Sequence, residues 1–285
     1  MGAHLMARLA FGVEYDGSNL LGWQVQSDGR SVQGCLQEAL SKVADEKLKV
    51  VCAGRTDAGV HATAQVAHIE TNAQRSERSW LLGANSNLPD DICVNWAEPV
   101  DDDFHARFSA RSRTYQYLIL NRNARSGLWR RHTSWIREEL DVELMRQGAQ
   151  FLLGEHDFSS FRAAACQAKT PVRTVYCIDI ERRGDLVSLR IRANAFLHHM
   201  VRNIAGTLIR IGCGDAGPAW AGEVLAARDR CSAGSKAPPS GLYLVGVAYD
   251  ESHGLPADVV PAKLFLMYDG IVTSTRTQRM SDELV

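Results

Sequence analysis

The feature that most constrains this chain is an alternation of short β-prone runs with amphipathic helical ones, passed through twice. Ala7–Tyr15 reads as a strand with Leu9, Phe11, Val13 and Tyr15 on one face, ended by an Asp16-Gly17 turn. Ser31 is placed to cap a helix that carries Val32, Leu36, Leu40 and Val43 at helical spacing. Residues 48–52 and 64–71 read as strands, 76–88 as a helix and 92–96 as a strand. The order then recurs: a strand over 111–120 and a helix over 141–153 with Val142, Met145, Ala149 and Leu152 on its apolar side. Strands over 172–182 and 186–193 meet at Arg183-Gly184-Asp185, a hairpin signal. A helix over 199–211, a short helix over 219–227 and a strand over 242–249 follow. Interspersed helices and antiparallel-looking strands predict an α+β protein, with a division near residues 105–112. No apolar run approaches the roughly 20 residues of a membrane helix, so no membrane partner is expected. Residues 1–6 lack the basic region and apolar core of a secretory signal.

Between the runs 48–52 and 64–71 lies Ala53-Gly54-Arg55-Thr56-Asp57-Ala58-Gly59-Val60-His61-Ala62. A short polar loop at a strand end presents a side chain from a rigid base. Glycines allow positive φ or close approach there. Asp57 is the sole carboxylate of the run, two residues from Arg55. An Asp carboxylate is a nucleophile in other covalent mechanisms. By residue type alone, an Asx-turn or a salt bridge to Arg55 accounts for Asp57 equally well.

The chain carries 32 Lys and Arg against 33 Asp and Glu, a net charge of −1, which argues against a nucleic-acid partner until the distribution is considered. From Phe104 to Arg137 there are eight Arg and no acid, and from Arg162 to Cys213 nine basic residues against three acids. Arginine accounts for 26 of the 32 basic residues, and its planar fork clamps phosphate and stacks on bases. Seven cysteines with no C-x-x-C pair argue against a disulfide framework and a zinc site, and fit a reducing cytoplasm. No G-x-S-x-G, H-E-x-x-H or phosphate-binding glycine loop occurs, which removes the common hydrolase readings.

Four segments, in order, carry a resemblance. They are the loop 53–62, Arg111-Ser112-Arg113-Thr114-Tyr115-Gln116-Tyr117, Phe196-Leu197-His198-His199-Met200-Val201-Arg202-Asn203-Ile204-Ala205-Gly206, and Pro238-Pro239-Ser240-Gly241-Leu242-Tyr243-Leu244. Together they resemble the TruA-type tRNA pseudouridine synthases, over most of the chain. The resemblance implies a pseudouridine synthase fold, in which two α/β subdomains merge their antiparallel sheets around a basic central cleft. Residues 7–108 would carry the Asp loop, 109–250 the second subdomain, and 251–285 a peripheral extension. It implies isomerisation of uridine at positions 38, 39 and 40 of the tRNA anticodon arm, with no cofactor and no metal, by a homodimer. Asp57 would be the catalytic nucleophile, attacking ribose C1′ or uracil C6 or abstracting a ribose proton; these routes stay open. Tyr115 would stack on the flipped uracil, Leu242 would pack against it, and Arg55 would orient Asp57 or hold the nucleotide.

Arg202 lies about 100° around its helix from Val201, at the edge of the apolar stripe, where an Arg needs an acidic partner or solvent. The resemblance implies an arginine of this helix directed at the catalytic Asp, so Asp57 is its predicted partner. Adjacent helical positions point apart, so His198 and His199 are not expected to share a ligand. Candidates for RNA contact are Arg30, His61, His105, Arg107, Arg111 and Arg113, with Arg122, Arg125, Arg130 and Arg131 beside them. Two other readings stay open: a pseudouridine synthase with other RNA targets, and a non-catalytic RNA-binding or folding module.

Overall fold

The computed structural model describes residues 6–164 and 166–256. Most of the expected extension, 257–285, lies outside the described residues. In chain order the elements are β1 (Ala7–Tyr15), α1 (Val32–Ala44), β2 (Val51–Cys52), β3 (His61–Thr71), α2 (Glu77–Asn87) and β4 (Ile92–Val100). They continue with β5 (Ser112–Asn121), β6 (Ser134–Ile136), α3 (Val142–Gln150), β7 (Gly154–Asp157), β8 (Val172–Arg183) and β9 (Leu186–Ala193). The last are α4 (Met200–Gly212), α5 (Trp220–Ala227) and β10 (Leu242–Ala248).

The ten strands among the described residues join one sheet of order β4-β1-β3-β10-β5-β9-β8-β7, with β2 on β3 and β6 on β5. The α+β class holds. The strand latest in sequence, β10, lies in the middle, parallel to β3 and antiparallel to β5. Tyr243 stands beside His61, and Leu244 faces Tyr115 on its other side. β10 therefore carries the sheet without a break from the first half of the chain into the second. β5 is buried along all ten residues, so it shows no clean alternation. Tyr117 and Ile119 enter the main core, while Leu118 packs with Leu186, Tyr243 and Val245 in a smaller cluster.

The helix starts follow local chemistry. Ser31, Ser76 and Asp141 each accept backbone N–H groups of the first turns of α1, α2 and α3. α1 packs on α2, and α3 on α4 and β8. Gly184 at φ +56 makes the β8–β9 hairpin, with Arg183 facing Leu186.

Three expectations change. The predicted strand over 48–52 shortens to Val51–Cys52, although Leu48 and Val50 are still buried as plain chain. β3 begins at His61, three residues early, because β10 pairs with its first two residues. β6 and β7 carry no alternation signal and exist only through pairing with β5 and β8. Among the described residues no helix is long and apolar enough to cross a membrane.

Candidate active site

The loop from Ala53 to Val60 is held from behind at almost every residue. The buried Gln65 side chain donates to the Gly54 carbonyl at 2.6 Å and accepts from the Gly54 N–H at 3.3 Å. Tyr15 and Thr56 share a hydroxyl hydrogen bond of 2.7 Å, and the Trp23 N–H donates to the Thr56 carbonyl at 2.9 Å. Gly22 comes so close that a Cβ there would lie 2.6 Å from the Thr56 oxygen, and its φ of +88° is a glycine conformation. Arg113 donates to the Ala53 carbonyl from below. With its backbone so engaged, the loop presents Asp57 from a fixed frame.

Asp57 is met by three side chains from the second half of the chain. Arg202 Nη1 donates to Oδ2 at 3.2 Å; His198 Nε2 lies 3.2 Å from Oδ1 and His199 Nε2 3.3 Å from Oδ2. Arg202 is itself anchored, because its Nε donates to the Ala237 carbonyl at 2.8 Å while Ala237 N–H donates to the Arg202 carbonyl. That exchange requires residues 234–237 to lie flat on α4. Gly206 permits it, since a Cβ there would sit 1.8 Å from the Ser235 oxygen.

The histidines correct a sequence expectation. α4 starts at Met200, and His199 precedes it in the left-handed region at φ +64. The two rings therefore turn to one side, with centroids 3.9 Å apart, and both reach Asp57. Burial, reinforced by His198, Lys236 and Arg202 against the opposing pull of Asp57, lowers the His199 pKa to about 4. The spacing would permit a cation, since one ligand atom from each of Asp57, His198 and His199 falls within 4.8 Å of the others. The guanidinium of Arg202 already occupies the same carboxylate and repels a dication there.

Tyr115, on β5, is buried behind the loop, edge-on to Phe196 at 5.0 Å, and a Cβ on Gly54 would lie 3.6 Å from its hydroxyl. Burial first, and then Asp57, raise its pKa above the usual phenol value. Tyr117 is core, its hydroxyl bonded to Ser134 and the Pro238 carbonyl. Leu242, opposite Tyr117, is buried at the start of β10. Arg55 is exposed and has no ion pair or hydrogen bond among the described residues, so Arg202 and not Arg55 orients the carboxylate.

Two RNA candidates are corrected. Arg113 is 8% exposed and spends its guanidinium on the carbonyls of Ala53, Arg107, Ala110 and Asn194. His61 is 2% exposed, accepts the Gly17 N–H at Nδ1 and reaches the Arg131 carbonyl through Nε2. Neither has a donor left for phosphate. Both fall in polar, basic-looking segments, and only the fold turns them inward.

The other candidates lie outside the core. Arg30 pairs with Asp91, Arg111 with Asp250, and Arg107 lies over Phe108. His105 Nδ1 accepts the N–H groups of Arg107 and Phe108, and Arg131 donates to Asn19. Sequence reasoning missed Tyr15, Gln65 and Gly22 as the loop's supports, and dismissed His198 and His199. Asp16-Gly17 and the loop's glycines are local signals, but nothing local tells that Gln65 will point into the loop.

A loop carboxylate met by an arginine and two histidines, where the two halves of the chain join through a shared central strand, is the candidate active site of an enzyme. The sequence profile of the tRNA pseudouridine synthases matches residues 12–109 and 149–250, and the chain belongs to that family. It is 55% identical over 253 residues to tRNA pseudouridine synthase A of Methylococcus capsulatus (strain ATCC 33009 / NCIMB 11132 / Bath), covering 89% of this chain and 93% of the relative. Its identity to tRNA pseudouridine synthase A of Shewanella baltica (strain OS185) is also 55%, over 87% of this chain and 95% of that one. Among solved structures, a Cbf5-Nop10-Gar1 complex aligns over 91% of this chain and 56% of the other at 16% identity, with a TM-score of 0.36.

Proposed function

We propose that this tRNA pseudouridine synthase isomerises uridines 38, 39 and 40 of the anticodon arm, with Asp57 as nucleophile, as a cytoplasmic homodimer. Isomerase activity on tRNA follows from the family. The finer reading rests on the site. The reaction breaks the bond from ribose C1′ to uracil N1 and rejoins the ring through C5. Electron count is unchanged, so the chemistry needs a nucleophile and proton transfers and no redox cofactor. Asp57 supplies the nucleophile, held by Arg202 on one oxygen. A base in a duplex is flipped out for such chemistry, and aromatic faces receive it. Tyr115 and Leu242, on paired central strands, are the faces assigned to the uracil. Arg55, exposed on the same loop, is assigned to the flipped nucleotide's phosphate.

The observation that carries this reading is the clamp on Asp57, a carboxylate fixed by the far half of the chain within a rigid loop. Tritium release from a tRNA transcript labelled at uridine C5 tests it. Wild type releases tritium, and Asp57→Ala falls by at least about a thousandfold, as loss of a nucleophile requires. An Asp57→Ala protein that keeps full activity overturns the assignment. Mapping the modified positions separates 38, 39 and 40 from other targets. A non-catalytic RNA-binding module would release no tritium even as wild type.

A further inference from the structure

We propose that His198 and His199 are positioning residues of this site, each donating Nε2–H to one oxygen of Asp57 and so fixing the plane of its carboxylate. The inference rests on the reading of Asp57 as the nucleophile. Arg202 alone cannot fix that plane. Its Nε is committed to the Ala237 carbonyl, so a single nitrogen, Nη1, reaches Asp57, and it reaches Oδ2. A carboxylate held at one oxygen can still turn about its Cβ–Cγ bond. Among the described residues His198 Nε2 is the charged-group neighbour of Oδ1, at 3.2 Å, and His199 Nε2 stands 3.3 Å from Oδ2. A carboxylate oxygen only accepts, so the proposed role places the proton of each ring on the nitrogen that faces Asp57.

The backbone shows what this placement requires. His199 sits at φ +64, one of three non-glycine residues with positive φ among the described residues. That conformation is disfavoured for a residue with a Cβ, and such strain collects at functional sites. Here it swings two consecutive imidazoles to one side, where an ordinary helical start would have sent them apart. His199 is also kept neutral by burial and by the neighbouring cations Arg202 and Lys236. A neutral N–H donor orients the anion without handing it a proton.

The test is steady-state tritium release by the full-length protein. His198→Leu and His199→Leu remove the donor and keep bulk, while His198→Gln and His199→Gln keep an N–H near the Nε2 position. Asn, whose amide falls short of that position, is the control for chain length. Each Leu variant is expected to lose about tenfold or more in kcat, with KM for tRNA changed by less than about twofold, the pattern of misplaced reacting groups. Gln is expected to restore most of kcat, and Asn not to. If a Leu variant fails to fold, the Gln and Asn pair decides alone. Leu variants that fold and keep wild-type kcat overturn the proposal. So does a loss carried by KM alone, or equal kcat for Gln and Asn. Asp57→Ala runs alongside: if it stays fully active, the nucleophile reading itself has failed, whatever the histidine variants do.

Discussion

At the scale of single residues, charge type says little and burial decides. Arg55 and Arg113 look alike in the sequence, each beside a motif and each free to touch phosphate. In the fold Arg55 is exposed without a protein partner among the described residues, and Arg113 ties four carbonyls from three separate segments. The two substitutions should therefore separate cleanly. Arg113→Met strands those carbonyls and is expected to cost about 3 kcal/mol in urea unfolding. Arg55→Ala is expected to leave unfolding within about 0.5 kcal/mol of wild type while tRNA turnover falls. Equal stability of the two variants would sink the assignment. The polar loop was legible from its glycines and lone carboxylate, which are local features, while Asp57 was singled out within it by resemblance to a family and not by residue type. The histidines were not, because one left-handed residue at 199 reverses where both rings point.

At the scale of elements, β3 organises the site. Its first residues pair with β10, Gln65 holds the Asp57 loop, and His68 holds the turn at residues 104–109. His68 Nδ1 accepts the Ala106 N–H at 3.1 Å, so that nitrogen is proton-free in the fold. Burial first, then His105 and Arg8 against the opposing Glu70, lower its pKa to about 4. The folded His68 thus binds a proton only near pH 4, whereas an unfolded histidine binds one near 6.5. The unfolded state takes up more protons in that window, so stability falls as pH drops from about 6.5 towards 4 and is unaffected above it. His68→Asn keeps an acceptor at the Nδ1 position and cannot titrate. Urea unfolding at pH 7.5 and pH 5 should show a smaller loss in this variant than in wild type. An identical loss would assign the pH dependence elsewhere.

At the scale of the whole molecule, the site exists because the two halves close on each other. Asp57 comes from the β2–β3 connection, and Arg202, His198 and His199 come from the start of α4, some 140 residues on. β10 joins the halves by pairing with β3 on one side and β5 on the other. The near-neutral chain has its arginines concentrated in two stretches, which a second copy would extend into a longer basic surface. Light scattering during gel filtration is expected to give twice the chain mass, and a monomer at micromolar concentration would remove the homodimer. tRNA affinity is expected to fall steeply with salt, as phosphate contacts require. What the sequence determined by itself was whatever is written in neighbouring residues: most of the strand and helix runs, the Ser31 cap, the β8–β9 hairpin, the polar loop between β2 and β3 and the α+β class. Tertiary structure alone decided which half-buried polar residues turn inward and which groups converge on Asp57. Such contacts join residues far apart in the chain, and their energy depends on desolvation and on backbone turns that no local pattern encodes.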